Sequence, residues 1–218
     1  MISTGIQKLD EFLSGGIPDG VVVDIFGGNG TGKTQLLLQL SINSIKKGGR
    51  VLYLDTTGEF RPERILEIQK QSENRLDFLE QITVSRITNT SEQISSIKNL
   101  QNDFSLIVVD NVTDLFSYEY KNEESTFEKN SVFMRFMHGL SKFAIKKKIP
   151  IVVTNMIRTI EGKEVENMKR AIDPFTHIKI HLFKDSSKFK GKIYWALNKE
   201  DFSYKIHVLG LSDSSEDI

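Results

Sequence analysis

The sequence predicts an α/β fold, in which a mostly parallel sheet is flanked by helices and extended by an antiparallel C-terminal part. Short apolar runs rich in β-branched residues alternate with stretches of helical spacing, and this alternation favours parallel strands joined by helices. After residue 175 the helical stretches stop and strand-like runs follow one another closely, which is typical of antiparallel strands. The length of 218 residues suits one such domain.

The predicted strands of the parallel part are continuous apolar runs, which are typical of strands buried on both faces. They cover residues 21–26, 51–54, 82–87, 106–109 and 149–153. Apolar residues recur at helical spacing between these runs. The helices predicted there span about 33–47, 61–73, 91–101 and 130–147.

The C-terminal part is predicted to be an antiparallel meander. Its strands are 177–183, 192–197 and 202–209, and the polar stretch KDSSKFKG is the predicted turn between the first two. Residues 1–210 are expected to form one domain, because no stretch among them is long enough to be a linker. Residues 211–218 are polar and acidic, and we expect them to form a flexible tail.

The composition limits the classes of function. Lys and Arg together number 29, as do Asp and Glu, so the formal net charge is zero and any affinity for DNA must come from a local patch. The chain has no cysteine, which excludes disulfides and thiolate metal sites. It has no apolar run of the roughly 18 residues that a membrane span needs, and no signal-peptide pattern. We therefore expect an intracellular protein, cytoplasmic or nuclear, with no membrane partner.

A glycine-rich segment follows the first predicted strand and opens the first long helix. Its sequence is GGNGTGKT, a complete G-x-x-x-x-G-K-T pattern. Glycines allow a tight loop whose N–H groups surround phosphate oxygens, and the helix N-terminus adds further donors. Lys33 is predicted to bind the β- and γ-phosphates, and Thr34 to offer its hydroxyl to Mg²⁺. The predicted nucleotide-binding residues of this segment are Gly27, Gly28, Asn29, Gly30, Thr31, Gly32, Lys33 and Thr34.

A second element of the site is predicted at the end of a later strand. Residues 105–110 have the sequence SLIVVD, an apolar run that ends in a carboxylate. In P-loop proteins an aspartate in this position lies beside the phosphate loop and holds Mg²⁺. Asp110 is therefore the predicted second metal residue, with a simple strand-end role as the alternative.

Five ordered segments resemble the RecA/RadA recombinase family, from the first residues to about residue 200. They are STGIQKLDEFLSGGIPDG, TGKTQ, YLDTTGEFRPERI, VVDNVTDLF and IPIVVTNM. The resemblance implies a RecA-like fold that binds ATP with Mg²⁺. It also implies that Gln35 follows the phosphate loop as part of the nucleotide site and that Arg64 packs on the adenine.

Two positions depart from the family pattern. The family's Asp-Thr-Glu-Gly element carries the glutamate that activates the attacking water, and Thr57 stands in that place. The family's γ-phosphate-sensing Asn-Gln pair is Asn155 and Met156 here, and methionine cannot donate that hydrogen bond. We therefore expect weak or absent ATP hydrolysis. In the alternative interpretation, Glu59 or a residue of a partner replaces the missing base.

The chain begins at the core, where RadA-type recombinases have an additional N-terminal domain and a Phe-x-x-Ala segment that binds the neighbouring subunit. The resemblance is therefore to a core-only paralogue similar to archaeal RadB-like proteins. We expect that it does not form the usual filament.

The family's two DNA-binding loops should fall at about 117–130 and 157–173. Their charges sum to minus two and to zero, so neither segment predicts strong phosphate binding. Lys169 and Arg170 form a candidate contact in the second segment, with a solvated loop as the alternative.

Two other stretches are basic. The predicted turn and its flank carry Lys188, Phe189, Lys190 and Lys192, which could hold single-stranded DNA by charge and stacking; a solubilising turn is the alternative. Residues 141–150 contain four lysines and no acid. For them the favoured interpretation is a favourable interaction with a helix C-terminus.

The sequence thus predicts an ATP-binding recombinase paralogue that assists homologous recombination or DNA repair. Its expected partners are ATP, a recombinase or another paralogue, and single-stranded DNA. An active DNA-stimulated ATPase and a scaffold subunit with structural ATP remain alternatives, and a KaiC-like signalling ATPase is a third.

Overall fold

A computed structural model describes residues 1–70, 77–98, 103–122, 125–160 and 162–214. Within them, ten strands form one mixed sheet in the order β10-β9-β8-β7-β1-β5-β4-β2-β3, and β6 pairs with β5. The strands are β1 Val22–Gly27, β2 Val51–Asp55, β3 Ile82–Arg86, β4 Leu106–Asp110, β5 Ile151–Ile160, β6 Lys163–Glu166, β7 Ile178–Asp185, β8 Lys188–Trp195, β9 Asn198–His207 and β10 Gly210–Asp213.

The helices join the strands of the parallel part. They are α1 Gln7–Phe12, α2 Lys33–Lys46, α3 Pro62–Lys70, α4 Thr90–Lys98, α5 Asp114–Glu119, α6 Thr126–Lys147 and α7 Lys169–Ile172, with 3-10 turns at Leu79–Gln81 and Asp173–Phe175. The parallel pairs are β1–β5, β1–β7, β2–β3, β2–β4 and β4–β5. The predicted fold class, a mostly parallel sheet between helices with an antiparallel C-terminal extension, is confirmed.

The core lies on both faces of the sheet because neighbouring strand residues point to opposite sides. In β4, Val108 packs with residues of α2 and α3, whereas Val109 packs with residues of α5 and α6. Helices α2 and α6 therefore cover opposite faces. The edge where β1, β2, β4 and β5 end is called the carboxyl edge below, and the edge where they begin is called the amino edge.

Three expectations about the later chain need correction. Strand β5 continues to Ile160 and pairs with β6, so the predicted second DNA loop is a hairpin followed by α7. The segment predicted as a turn belongs mostly to β7 and β8, which leaves a two-residue turn at 186–187. The predicted tail begins too early, because Leu211 is buried and lies in β10; residues 215–218 lie outside the described residues.

The other boundaries differ little from the predicted ones. The predicted ends of the helices at 71–73 and 99–101 lie outside the described residues. None of the helices in the described part of the chain has both the length and the apolar character that crossing a membrane requires.

Candidate functional site

The glycine-rich segment predicted to bind phosphate lies at the carboxyl edge, between the end of β1 and the start of α2. Gly27 is packed so closely against β7 that a Cβ atom there would lie 2.0 Å from the Leu182 carbonyl oxygen. Gly32 precedes α2 with a φ of 90°, a left-handed conformation that favours glycine. The first turn of α2 leaves its N–H groups without intrahelical acceptors. The segment therefore offers donors to an anion.

Lys33 lies at the start of α2 and points back over the loop. Its Nζ donates to the carbonyl oxygens of Gly27 at 2.9 Å and Gly28 at 2.8 Å. Burial lowers the pKa of the Lys33 ammonium, and the carboxylates of Asp110 and Glu59 oppose that shift. Among the described residues Lys33 makes no ion pair, so its charge is available to a phosphate.

Asp110 ends β4 and is almost completely buried. Its Oδ2 accepts hydrogen bonds from Thr34 Oγ1 at 2.9 Å and from the Tyr53 hydroxyl at 2.8 Å, and its Oδ1 accepts one from Thr154 Oγ1. Burial and the adjacent Asp110 carboxylate raise the pKa of Tyr53 well above its usual range. Carboxylate and hydroxyl oxygens are the ligands that Mg²⁺ prefers, so Thr34 and Asp110 fit the ion.

Tyr53 and Thr154 were not predicted as site residues. Tyr53 lies within the apolar run predicted as a strand at 51–54, whereas Thr154 directly follows the run predicted at 149–153. The hydroxyl groups themselves were the available signal, because a buried hydroxyl in a strand needs a partner.

A cavity of about 1010 Å³ opens over these residues. It brings together the glycine-rich loop, the predicted metal residues, the positions that depart from the family pattern and the β9–β10 hairpin. The lining residues include Asn29, Gly30, Gly32, Lys33, Thr34, Gln35, Thr57, Glu59, Arg64, Asp110, Met156, Ile206, His207 and Val208.

Thr57 follows β2 in a turn that is organised by Asp55. The Thr57 hydroxyl and N–H both donate to Asp55 Oδ1, at 3.2 and 3.1 Å. Glu59 lines the same cavity, and its carboxylate opposes the lowering of the Lys33 pKa by burial. The sequence left open where Glu59 points; the structure places it in the same cavity as Lys33.

Asn155 is fully buried and does not face the cavity with a free amide. Its Oδ1 accepts from Thr113 Oγ1 at 2.7 Å, and its Nδ2 donates to the Asn167 carbonyl at 2.9 Å. Met156 lines the cavity instead. The Asn155 amide thus links Asn167, which follows β6, to Thr113, which precedes α5. It does not reach toward the place of a nucleotide.

Arg64 and Gln35 form a bridge across the cavity. Arg64 Nη1 donates to Gln35 Oε1 at 2.6 Å, and Gln35 Nε2 donates to the Val208 carbonyl at 3.0 Å. Arg64 thus lines the same cavity as Lys33 and Asp110, held by the side chain that follows Thr34.

The first predicted DNA segment carries an aromatic feature that the charge count missed. Tyr118 is 68% exposed and Phe127 is 85% exposed. The Lys121 ammonium lies 4.1 Å from the centre of the Tyr118 ring. Exposed aromatic rings beside cations suit the stacking of unpaired bases. The signal in the sequence was three aromatic residues, Tyr118, Tyr120 and Phe127, in a polar segment.

The predicted contacts at the C-terminal hairpin are less available than expected. The Phe189 ring packs against the core and stacks on Tyr204 at 5.6 Å, because β8 extends through it. Lys190 pairs with Asp185 at 2.7 Å, and Lys192 lies 3.6 Å from Asp201. The expectation of an exposed aromatic tip is therefore wrong, and Lys188 lies at the end of the turn.

The second predicted DNA contact is partly neutralised. Lys169 Nζ lies 2.8 Å from Asp173 Oδ2, while Arg170 is exposed. The site residues that the structure brings together are those of the phosphate loop with Asp110, Arg64, Thr57 and Glu59. The second candidate DNA segment begins next to the loop, because a Cβ on Gly28 would lie 3.7 Å from Ile157 Cδ1.

Comparison with known proteins gives two findings. Residues 1–187 match the family model described as Rad51. Over 169 residues the chain is 34% identical to a protein of Metallosphaera sedula described as "DNA repair and recombination protein RadA". The aligned part is 72% of this chain and 52% of that relative, so the chain spans about half the length of the relative it matches.

Proposed function

Because this chain belongs to the Rad51 family, we propose that it is an ATP-binding paralogue of the RecA/RadA recombinases that assists homologous recombination and DNA repair inside the cell. The observation that carries the proposal is the meeting of Lys33, Thr34 and Asp110 in one cavity. Lys33 and the loop amides would hold the phosphates, and Thr34 and Asp110 would hold Mg²⁺. Arg64 would pack on the adenine.

Mg-ATP should therefore stabilise the fold. At about 100 times Kd, binding contributes roughly 2.7 kcal/mol, which for a chain of this size raises Tm by roughly 5–10 °C. Lys33→Ala should abolish the rise. An unchanged Tm of the wild-type protein at millimolar Mg-ATP would contradict nucleotide binding.

We propose that hydrolysis is slow. Thr57 offers a hydroxyl that already donates to Asp55, so it supplies no base for the attacking water. Thr57→Glu should raise turnover, by at most the roughly 10²–10⁴ that general-base catalysis supplies. Adding Met156→Gln should begin to restore stimulation by single-stranded DNA.

The second candidate is an active DNA-stimulated ATPase in which Glu59 is the base. Its specific support is that Glu59 lines the cavity and that its carboxylate opposes the lowering of the Lys33 pKa by burial. Glu59→Gln separates the two candidates. Little change in a slow rate supports the first, whereas loss of a rate comparable to that of active recombinases supports the second.

We propose that single-stranded DNA contacts the exposed rings of Tyr118 and Phe127 near Lys121, on the side of the molecule where α5 leaves the cavity. The proposed protein partner is a recombinase or another paralogue, as in the RadB-like group. Tyr118→Ala with Phe127→Ala should weaken binding of an oligonucleotide by about 1–3 kcal/mol per lost stack. Unchanged binding would remove this surface from the proposal, leaving Arg170 and Lys188 as the contacts to test.

A further inference from the structure

The amino edge of the sheet, opposite the nucleotide cavity, carries an unusual excess of positive charge. Helices α2 and α6 both end at this edge, because each leads into a strand that begins there. The residues concerned, called the basic patch below, are Lys46, Lys47, Arg50, Lys142, Lys146, Lys147 and Lys148.

The basic patch is exposed on both faces of the sheet. Six of its seven side chains are classed as exposed, and Lys147 is half-buried. The order β1-β5-β4-β2 places Arg50, before β2, and Lys148, before β5, on either side of the start of β4. Neighbouring strands lie about 4.8 Å apart. The strands that Arg50 and Lys148 precede are therefore two strand spacings apart, and the lysines of α2 and α6 lie beside them on opposite faces of the sheet.

Few acids oppose this charge. In the connections that lead into these four central strands, the acidic residues within the described chain are Asp19 and Asp103, and Asp19 is paired with the N-terminal ammonium at 3.0 Å. Asp77 and Glu80 lie farther out, before β3. None of Lys46, Lys142 and Lys146 makes an ion pair among the described residues. A helix C-terminus stabilises one or two cations in its last turn, so it does not account for Arg50 or for Lys142.

The aromatic residues of these segments are turned inward. Phe104 and Phe143 pack against the core, and the Arg50 guanidinium lies 5.8 Å from the centre of the Phe104 ring. A surface without free aromatic rings cannot stack on unpaired bases. It can, however, contact phosphates, which a duplex presents on its outside.

We propose that the basic patch binds the phosphate backbone of double-stranded nucleic acid, independently of sequence and of the nucleotide cavity. This proposal rests on the proposed function in one respect, that the ligand is a nucleic acid and not another polyanion. The patch is separate from the cavity-side rings of Tyr118 and Phe127, so the molecule would hold a duplex and a single strand on different surfaces.

The test uses the whole chain, a labelled duplex of random sequence and its single strand, over about 50–200 mM salt. Lys142→Gln, Lys146→Gln and Lys147→Gln are combined in one variant. Each lost phosphate contact lowers the slope of log K against log salt by about 0.9, so the slope should fall by up to about 2.7. Duplex affinity near 100 mM salt should drop at least about tenfold by the same relation.

A matched variant removes the same charge from strands β7 and β9, with Lys184→Gln, Lys199→Gln and Lys205→Gln, and should keep wild-type affinity. A second variant, Lys46→Gln with Arg50→Gln, should also flatten the slope if both helix ends contact one duplex. Tm confirms that each variant is folded.

Three results would overturn the proposal. The first is a triple variant with the affinity and salt slope of the wild type, and the second is tighter binding of the single strand than of the duplex by the patch. The third is binding to phosphatidylserine-containing vesicles without binding to the duplex. Vesicles are included because Ile145 is 58% exposed between the lysines. Lys33→Ala keeps duplex binding if the patch acts alone. Failure of ATP binding and failure of the patch are thus separate outcomes.

Discussion

At the scale of single residues, Asp110 is the residue that organises the polar side chains of the cavity. Three hydroxyl groups from three elements converge on its two oxygens: Tyr53 from β2, Thr34 from α2 and Thr154 from β5. Hydroxyl groups held by three separate elements fix the direction of this buried carboxylate. The side chain is therefore oriented before any metal arrives.

Tyr53→Phe tests this orientation. A hydrogen bond to a charged group contributes about 1.5–3 kcal/mol, so the free energy of unfolding should fall by roughly that amount in urea titration. Tyr194→Phe, on an exposed ring, should cost almost nothing. Equal losses in the two variants would contradict a special role for the Asp110 contact.

Asp24 gives a prediction about pH. It is fully buried in β1, neither carboxylate oxygen has a hydrogen-bond partner among the described residues, and the Lys179 ammonium lies 3.8 Å away. Burial raises the pKa of Asp24 well above its usual range, and the neighbouring Glu166 carboxylate raises it further, while Lys179 opposes the shift.

The sign follows from proton binding. Above pH 3.8 the unfolded Asp24 has lost its proton while the folded form keeps it. Stability therefore falls as pH rises from there to the folded pKa, by up to about 1.4 kcal/mol per pH unit. Asp24→Asn removes this loss, so its Tm relative to wild type should increase between pH 5 and pH 8. A constant or shrinking difference would mean that Asp24 is ionised in the fold; exposed Asp185→Asn is the control.

At the scale of elements, α2 and β10 are joined by one side chain. Gln39 Nε2 donates to the Leu211 carbonyl at 2.8 Å, and the Leu211 N–H donates to Gln39 Oε1 at 2.5 Å. A Cβ on Gly5 or Gly210 would lie 2.1 Å from the Gln39 amide. The amide thus pairs with β10 as a neighbouring strand would, in the space that two glycines leave.

Gln39→Leu should release β10. It leaves the buried N–H and carbonyl of Leu211 without partners, at roughly 1–3 kcal/mol for each group. Proteolysis should then cut within residues 207–214 faster than in wild type. The exposed control Gln7→Leu should change neither stability nor the cutting pattern.

At the scale of the whole molecule, the sequence determined the architecture better than the site. Continuous apolar runs predicted β1, β2 and β4 to within one residue, because burial on both faces leaves little freedom of pattern. The bounds of β3 were also predicted, but β3 is an edge strand that is mostly exposed, and β5 runs seven residues past its apolar part. The pattern could not predict β10, in which Leu211 is the only apolar side chain that is buried, beside Gly210, and the residues that follow are polar. The pattern also did not identify Tyr53 and Thr154 as site residues. Their hydroxyl groups contact Asp110 only because strands β2, β4 and β5 lie side by side.

The candidate DNA surfaces show the same limit. A charge count along the chain described residues 117–130 as acidic, although it is the exposure of two rings that distinguishes the segment. Conversely, Lys190 and Lys192 of the β7–β8 hairpin pair with Asp185 and Asp201, so their charges are partly neutralised. Strand pairing brings these acids near the lysines. Pairing across a sheet cannot be obtained from neighbours in sequence.

One helix connects the two ends of the molecule. Helix α2 has 14 residues, from Lys33 at the phosphate loop to Lys46 at the basic patch, and is therefore about 21 Å long. Substitutions so far apart usually have additive free energies, within about 0.3–0.5 kcal/mol. ATP and a duplex should thus bind as thermodynamically independent ligands, and the affinity for either should be the same whether or not the other is present. Titrations with and without the second ligand, together with the Lys33→Ala and Lys46→Gln double-mutant cycle, measure the coupling; a larger value would mean that the helix shifts as one rigid rod when either end is occupied.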